Sequence, residues 1–337
     1  MNNVFIIAEA GVNHNGDLDI AKKMVDAAKS FGADAVKFQA FNAEKIVSLT
    51  ASKAGYQKKF TDKDESQLEM LKKLEIGFEE HVELMKHCEK KGIKFLSSPF
   101  DLESVEMLQK LEMDIYKIPS GEITNLPYLR KIGKLKKPVI LSTGMATTEE
   151  IEEALGVLIK NGTSRNQITL LQCTTAYPAP IKDINLKFIP KLRDVFKVEV
   201  GFSDHTEGIE VALAAVALGA TVIEKHFTLS RDMAGPDHKA SLEPDEFERL
   251  VEGVRKIELA LGVAEKKISV VENANKLAAR KSIVAARNIS KGDIFSDENI
   301  TTKRPGDGLS PMLWDQIIGL TAQQGFIADE KIKLDNM

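Results

Sequence analysis

The chain has 337 residues, of which 43% are apolar and 28% charged, and it carries a net charge of −4. That mixture buries a sizeable core, and the length fits one large α/β domain plus a small one. The charge balance gives no footprint for nucleic acid, no apolar stretch is long enough to span a bilayer, and Cys88 and Cys173 alone make no disulfide framework.

The start, "MNNVFIIAEAG", lacks a charged leader region and its apolar run breaks at Glu9, so a cytoplasmic protein is expected. Eight short β-branched runs then follow: "VFIIAEAG" (4–11), "AVKFQ" (35–39), "IKFLSSPF" (93–100), "IYKIPSG" (115–121), "PVILSTG" (138–144), "ITLLQCT" (168–174), "VEVGFSDH" (198–205) and "TVIEKHF" (221–227). Amphipathic segments separate them. "LDIAKKMVDAAKSFGA" aligns Ile20, Met24, Ala27 and Ala28, and "TTEEIEEALGVLIKNG" opens on a Thr cap and stops at Gly162. Such alternation means parallel strands with right-handed crossovers, and eight units in about 260 residues fit a (β/α)8 TIM barrel. No Gly-x-Gly-x-x-Gly follows the first run, which argues against a dinucleotide-binding sheet.

The connection at 41–81 is long enough to be a lid, a substrate loop or surface decoration. After Gly262 the rhythm stops. Residues 263–276 read as a polar linker, and 277–337, with short runs split by Lys-Gly-Asp and Pro-Gly-Asp-Gly turns, as a small, mostly β domain. The barrel domain is therefore set at 1–262.

Every predicted strand ends in polar side chains: Glu9; Lys37 and Gln39; Ser97 and Ser98; Lys117 and Ser120; Ser142 and Thr143; Gln172, Thr174 and Thr175; Ser203, Asp204 and His205; Glu224, Lys225 and His226. Barrel enzymes place their sites at these ends, so the set is expected to converge on one polar basin for a small molecule. Lysines with hydroxyls suit phosphate or carboxylate, and two imidazoles, His205 and His226, suit a divalent ion with open positions. Bland readings stand beside these. Lys117 or Lys225 is more often an ion-pair partner than a Schiff base, Cys173 reads as a packed thiol, and His81 and His87 read as surface residues on a helix. His14 either structures its loop or lines the pocket, and Arg304 is by default a turn residue.

"IIAEAGVNHNGD", "AVKFQ", "YKIPSGE", "ILSTGM", "LLQCTTAYP", "GFSDHTEG", "AAVALGATVIEKHFT" and "GPDHKASL" together resemble the sialic acid synthase family, and "KSIVAARNISKGDIF" with "TTKRPGDG" resembles its antifreeze-like SAF domain. The resemblance implies that phosphoenolpyruvate condenses with the open-chain aldehyde of an N-acetylated mannose-type sugar. It implies a divalent ion, commonly manganese, with magnesium or cobalt as alternatives, on His205 and His226, and Glu9 as the catalytic carboxylate. By the same likeness Lys37, Ser98, Lys117, Ser120, Ser142 and Ser203 hold phosphoenolpyruvate, and Gln39, Tyr177 and Asp237 contact the sugar. Arg304 matches an arginine that the family inserts into a partner's barrel, which implies a domain-swapped homodimer with the linker as crossing arm.

Two positions depart from some relatives. Thr175 stands where an asparagine contacts phosphoenolpyruvate, and "KFQAF" replaces a more polar stretch. Phe38, Ala40 and Phe41 are therefore expected to make the sugar pocket less polar and to favour a 6-deoxy sugar, as in legionaminic acid synthesis rather than neuraminate synthesis. The competing functions are a metal-independent Schiff-base sialic acid aldolase and a non-catalytic carbohydrate-binding protein.

Overall fold

The computed structural model describes residues 3–48, 51–53 and 65–334. The chain divides into two compact units, Met1–Gly262 and Val263–Met337. The first carries an eight-stranded parallel sheet: β1 (Phe5–Gly11), β2 (Ala35–Ala40), β3 (Lys94–Pro99), β4 (Tyr116–Ile118), β5 (Val139–Ser142), β6 (Ile168–Cys173), β7 (Glu199–Asp204) and β8 (Val222–His226). The spatial order is β3-β2-β1-β8-β7-β6-β5-β4. β3 and β4 lie side by side, but among the described residues no hydrogen-bonded ladder joins them, so the barrel is nearly closed. Beside that seam the Tyr128 hydroxyl donates to the Pro99 carbonyl at 2.8 Å.

Helices cover the outside of this ring, as the TIM-barrel reading expects. Thr147 caps the helix Thr148–Asn161 through a capping box and Gly162 ends it, because the Thr side chain and Glu150 satisfy otherwise unpaired N–H groups. In the helix Leu18–Ser30 the buried stripe is Ala21, Met24, Val25 and Ala28. It lies slightly rotated from the expected stripe, with Ile20 and Ala27 only partly covered.

Strand parity decides which side chains enter the barrel. The ladders align Glu9 with Lys37 and with His226, Gln39 with Ser98, Cys173 with Ser203, and Ser203 with Glu224. Residues level with one another across parallel strands share a face, so these pairings fix a continuous inward ring. The intervening residues face the helices. Asp204 aligns with Lys225, and their side chains form a fully buried ion pair at 2.8 Å.

The second unit begins differently from expectation. Residues assigned to a linker include part of a helix, Val270–Ala279, with a capping box between Ser269 and Glu272. The rest is mostly β, as expected. β9 (Ser282–Ala285) and β10 (Ile300–Lys303) pair antiparallel, and single bridges join Ile289 to Phe326 and Ile294 to Thr321. Ile283, Ile289, Phe295, Ile300 and Phe326 form its core. Among the described residues no helix is long and apolar enough to cross a membrane.

Candidate active site

A cavity of about 460 Å³ opens at the C-terminal ends of the strands. Glu9, Lys37, Gln39, Ser98, Lys117, Ser120, Ser142, Tyr177, Ser203, His205, His226 and Asp237 all line it. Of the catalytic, metal-holding and substrate-binding residues that the family resemblance implies, Arg304 alone is absent from its wall. Arg304 lies exposed on the second unit, where its Nε donates to the Ala279 carbonyl at 3.1 Å.

The floor is a buried charge cluster. Lys37 Nζ lies 2.7 Å from Glu9 Oε2 and 3.6 Å from Glu224 Oε2, and donates to Ser98 at 3.1 Å. Lys117 Nζ donates to Ser142 at 2.8 Å and lies 3.4 Å from Glu224 Oε1. Ser203 donates to that same oxygen at 2.9 Å. Glu224 thus sits between two ammonium groups. Burial would raise its pKa, but Lys117 and Lys37 outweigh burial and hold it below the usual carboxylate range. Glu9 goes the other way. Burial and the neighbouring Glu224 charge raise it, although Lys37 opposes them. Two carboxylates with divergent proton affinity in one pocket mark an anion that stays charged and a group that exchanges a proton.

The histidine pair stands beside this cluster. The His205 and His226 rings are 5.4 Å apart, centroid to centroid, and Tyr177 packs on His205 at 4.2 Å. His205 donates its Nδ1–H to the Thr174 carbonyl at 2.8 Å, which fixes the tautomer and leaves Nε2 as a lone-pair donor. His226 Nδ1 is buried without a hydrogen-bond partner, and burial together with the neighbouring His205 pushes this imidazole well below its usual pKa, so it is neutral. His226, neutral and with Nδ1 unpartnered, and His205, whose pKa is raised because the Cys173 thiol and the Thr174 carbonyl outweigh burial and whose Nε2 lies 3.5 Å from the Ser203 hydroxyl, are the two imidazoles that could take a divalent ion. Among the described residues no three or more His, Cys, Asp or Glu side chains gather into a cage.

Two glycines let this site form. Gly11 follows the irregularity in β1 with φ +54°, and a Cβ there would stand 3.3 Å from Glu9 Oε1 and 3.4 Å from Gln39 Nε2. At Gly144 a Cβ would fall 2.2 Å from Thr175 Oγ1 and 2.9 Å from Ser120 Oγ, the hydroxyl that accepts the Gly144 N–H at 3.0 Å.

Several expectations need correction. Not all polar strand ends converge. Ser97, Thr143, Gln172, Asp204 and Lys225 have the outward parity, and Ser97 meets His81 Nε2 at 3.1 Å. His81 is therefore buried rather than on the surface, whereas His87 pairs with Asp26 near the surface. Lys225 is held by Asp204 and by the Thr206 carbonyl, out of reach of any substrate, which removes it as a Schiff-base lysine. Phe38 and Ala40 are fully buried behind the strand, since Lys37 and Gln39 take the inward positions, and only Phe41 of the three reaches the pocket. Cys173 is buried, as the packed-thiol reading expects, but it also reaches the pocket wall, with its Sγ 3.8 Å from His205 Nδ1. His14 structures its loop by accepting the Gly16 N–H at Nδ1, 3.0 Å away. Glu224, Glu122 and Thr175 line the pocket and were not assigned roles; for Glu224 the signal was its shared parity with His226.

The pattern of the NeuB family matches residues 24–266, and that of the SAF domain matches residues 280–336. The chain belongs to the NeuB family. Among members of the NeuB family, the N,N'-diacetyllegionaminic acid synthase of Campylobacter jejuni is 57% identical over 99% of this chain and 100% of its own length. The enzyme of the same name from Legionella pneumophila is 46% identical over 94% of this chain and 89% of its own. The crystal structure of the N-acetylneuraminic acid (sialic acid) synthetase from Leptospira borgpetersenii, in complex with citrate, superposes with a TM-score of 0.73 at 36% identity, over 81% of this chain and 90% of that one.

Proposed function

We propose that the protein is a nonulosonate synthase, a C–C bond-forming transferase that condenses phosphoenolpyruvate with an open-chain N-acetylated mannose-type sugar. The product is a nine-carbon 2-keto sugar acid of the N-acetylneuraminate or N,N'-diacetyllegionaminate type. Enolpyruvate C3 attacks the sugar aldehyde, water adds at C2, and phosphate leaves by C–O cleavage. One observation carries this reading: Lys37 and Lys117, each bonded to a serine hydroxyl, are buried together at the barrel mouth beside the His205–His226 pair.

In this reading the two ammonium groups and the hydroxyls of Ser98, Ser120, Ser142 and Ser203 bind the phosphate and carboxylate oxygens, in a site dry enough to make such charge-assisted bonds strong. Glu224 holds both ammoniums in place before substrate arrives. Glu9, with its raised proton affinity, moves the proton of the attacking water. Gln39, Tyr177 and Asp237 orient the sugar; the Asp237 carboxyl, pushed by burial to about 6, is an acceptor or donor according to pH. His205 and His226 would hold a divalent ion, manganese foremost, which supplies Lewis-acid stabilisation of the developing alkoxide. Arg304 is assigned to the sugar site of a partner subunit in a homodimer, and a chain that sediments as a monomer while turning over substrate would remove that assignment.

Phosphate release from phosphoenolpyruvate tests the reaction. Release that requires an acetamido sugar supports it. Covalent trapping by borohydride with no phosphate released would replace it with a Schiff-base aldolase on Lys117.

A further inference from the structure

The connection that follows β6 grips the histidine pair at several points. The Thr174 carbonyl accepts the His205 ring N–H at 2.8 Å, and the Ala179 N–H donates to the His205 backbone carbonyl at 2.8 Å. Between those two anchors the chain sets Tyr177 against both imidazoles. Its ring lies on His205, with centroids 4.2 Å apart and planes 34° from parallel. The same ring meets His226 edge-on, at 5.6 Å and 83°. The imidazoles themselves are 5.4 Å apart, so the three rings form one contiguous cluster on the cavity wall. The two histidines depend on it unequally. His205 has the Thr174 bond to fix its plane. His226, at the end of β8, has its Nδ1 buried without a hydrogen-bond partner, so packing against the other two rings orients it.

We infer that Tyr177 is a positioning residue for the histidine pair: its ring, not its hydroxyl, holds the two imidazoles at the separation and tilt in which they would take a divalent ion. The inference rests on the synthase reading above, in which these histidines hold the metal, and it gives Tyr177 a part beyond the sugar contact named there. An imidazole on a strand end without packing samples several rotamers. Ordering it at the moment of binding subtracts from affinity, whereas a ring held beforehand loses nothing. Edge-to-face and offset contacts are the arrangements that aromatic rings prefer, and Tyr177 makes one of each type with the pair. The phenol oxygen takes no part in either ring contact, which lets variants separate ring from hydroxyl.

The test titrates manganese into the full chain with no sugar present, once alone and once with phosphoenolpyruvate, and reads the EPR signal of free manganese. Tyr177→Leu removes the ring and is expected to raise the Kd for manganese by about tenfold or more, the scale on which groups that orient metal ligands act. Tyr177→Phe keeps the ring and is expected to bind manganese as the native protein does. Stoichiometry counts the folded sites and Kd is read from those sites, so lost protein does not imitate lost affinity. A native Kd in Tyr177→Leu, or a Tyr177→Phe variant as weak as Tyr177→Leu, overturns the inference. Native protein that binds no manganese in either condition overturns it together with the metal role of the histidines. Phosphate release is not the readout, so failure of the synthase reaction and failure of this inference are told apart.

Discussion

Glu224→Gln keeps the shape of the side chain and removes its charge. Glu224 lies 3.4 Å from Lys117 Nζ and 3.6 Å from Lys37 Nζ. In an effective dielectric of about 20 each contact is worth about 5 kcal/mol of Coulomb energy before desolvation is subtracted. Breaking a buried pair by neutralising one member costs about 3–5 kcal/mol, because the remaining charge stays buried without its partner. For a unit of this size that is a fall in Tm of about 6–20 °C. Phosphoenolpyruvate brings anionic charge to the same two ammoniums, so it should recover more stability in the variant than in the native protein. Thermal unfolding with and without phosphoenolpyruvate measures both quantities. A variant with native Tm, or a deficit that phosphoenolpyruvate does not reduce, would refute the placing of Glu224 as the stand-in for substrate charge.

Asp204→Asn breaks the other buried pair, on the outward face, and should cost a similar 3–5 kcal/mol in urea unfolding (about the value for buried pairs) while kcat/KM of the folded fraction stays unchanged. Gly144→Ala sets a methyl group where Thr175 and Ser120 hydroxyls now stand, and is expected to raise KM for phosphoenolpyruvate by about tenfold or more, a loss of the size of one charge-assisted hydrogen bond. His14 is buried, and its pKa is lowered by burial to about 4, whereas an unfolded imidazole titrates near 6.5. The unfolded chain therefore takes up the proton first, and His14 contributes stability above pH 6.5 that is lost as pH falls through 4, about 3 kcal/mol in all. Urea midpoints between pH 7 and pH 4 should fall accordingly, and His14→Gln should flatten that slope.

The barrel was legible because its signal is local and repeated: each β-branched run is bounded by a capped helix, and parallel ladders then leave few arrangements. The polar basin was legible only in part. Alternation pairs Lys37 with Gln39 and Glu224 with His226, but which parity points inward depends on the register of neighbouring strands. Once Glu9 aligns with both Lys37 and His226, Asp204, Lys225 and Ser97 must face the helices, and Phe38 must leave the sugar pocket. Part of the cavity wall was hidden for a different reason. Met70, Leu71 and Leu74, which line it, sit on or just after a short amphipathic helix that reads as ordinary surface covering, and only tertiary packing against Phe41 and Phe100 turns it toward the cavity. The helix at Val270–Ala279 was legible in the Ser-Val-Val-Glu capping box yet masked by the polarity around it.

In the proposed reaction this pocket joins phosphoenolpyruvate to an acetamido sugar, with His205 and His226 as the residues that would hold a divalent ion. Phosphate release from phosphoenolpyruvate with 2,4-diacetamido-2,4,6-trideoxymannose, in manganese and again after EDTA, tests it most directly. Release in manganese, its loss in EDTA and its return on adding the metal back are the results the account requires. Release that persists in EDTA would contradict the role given to the two histidines, and no release with any acetamido mannose would contradict the synthase itself.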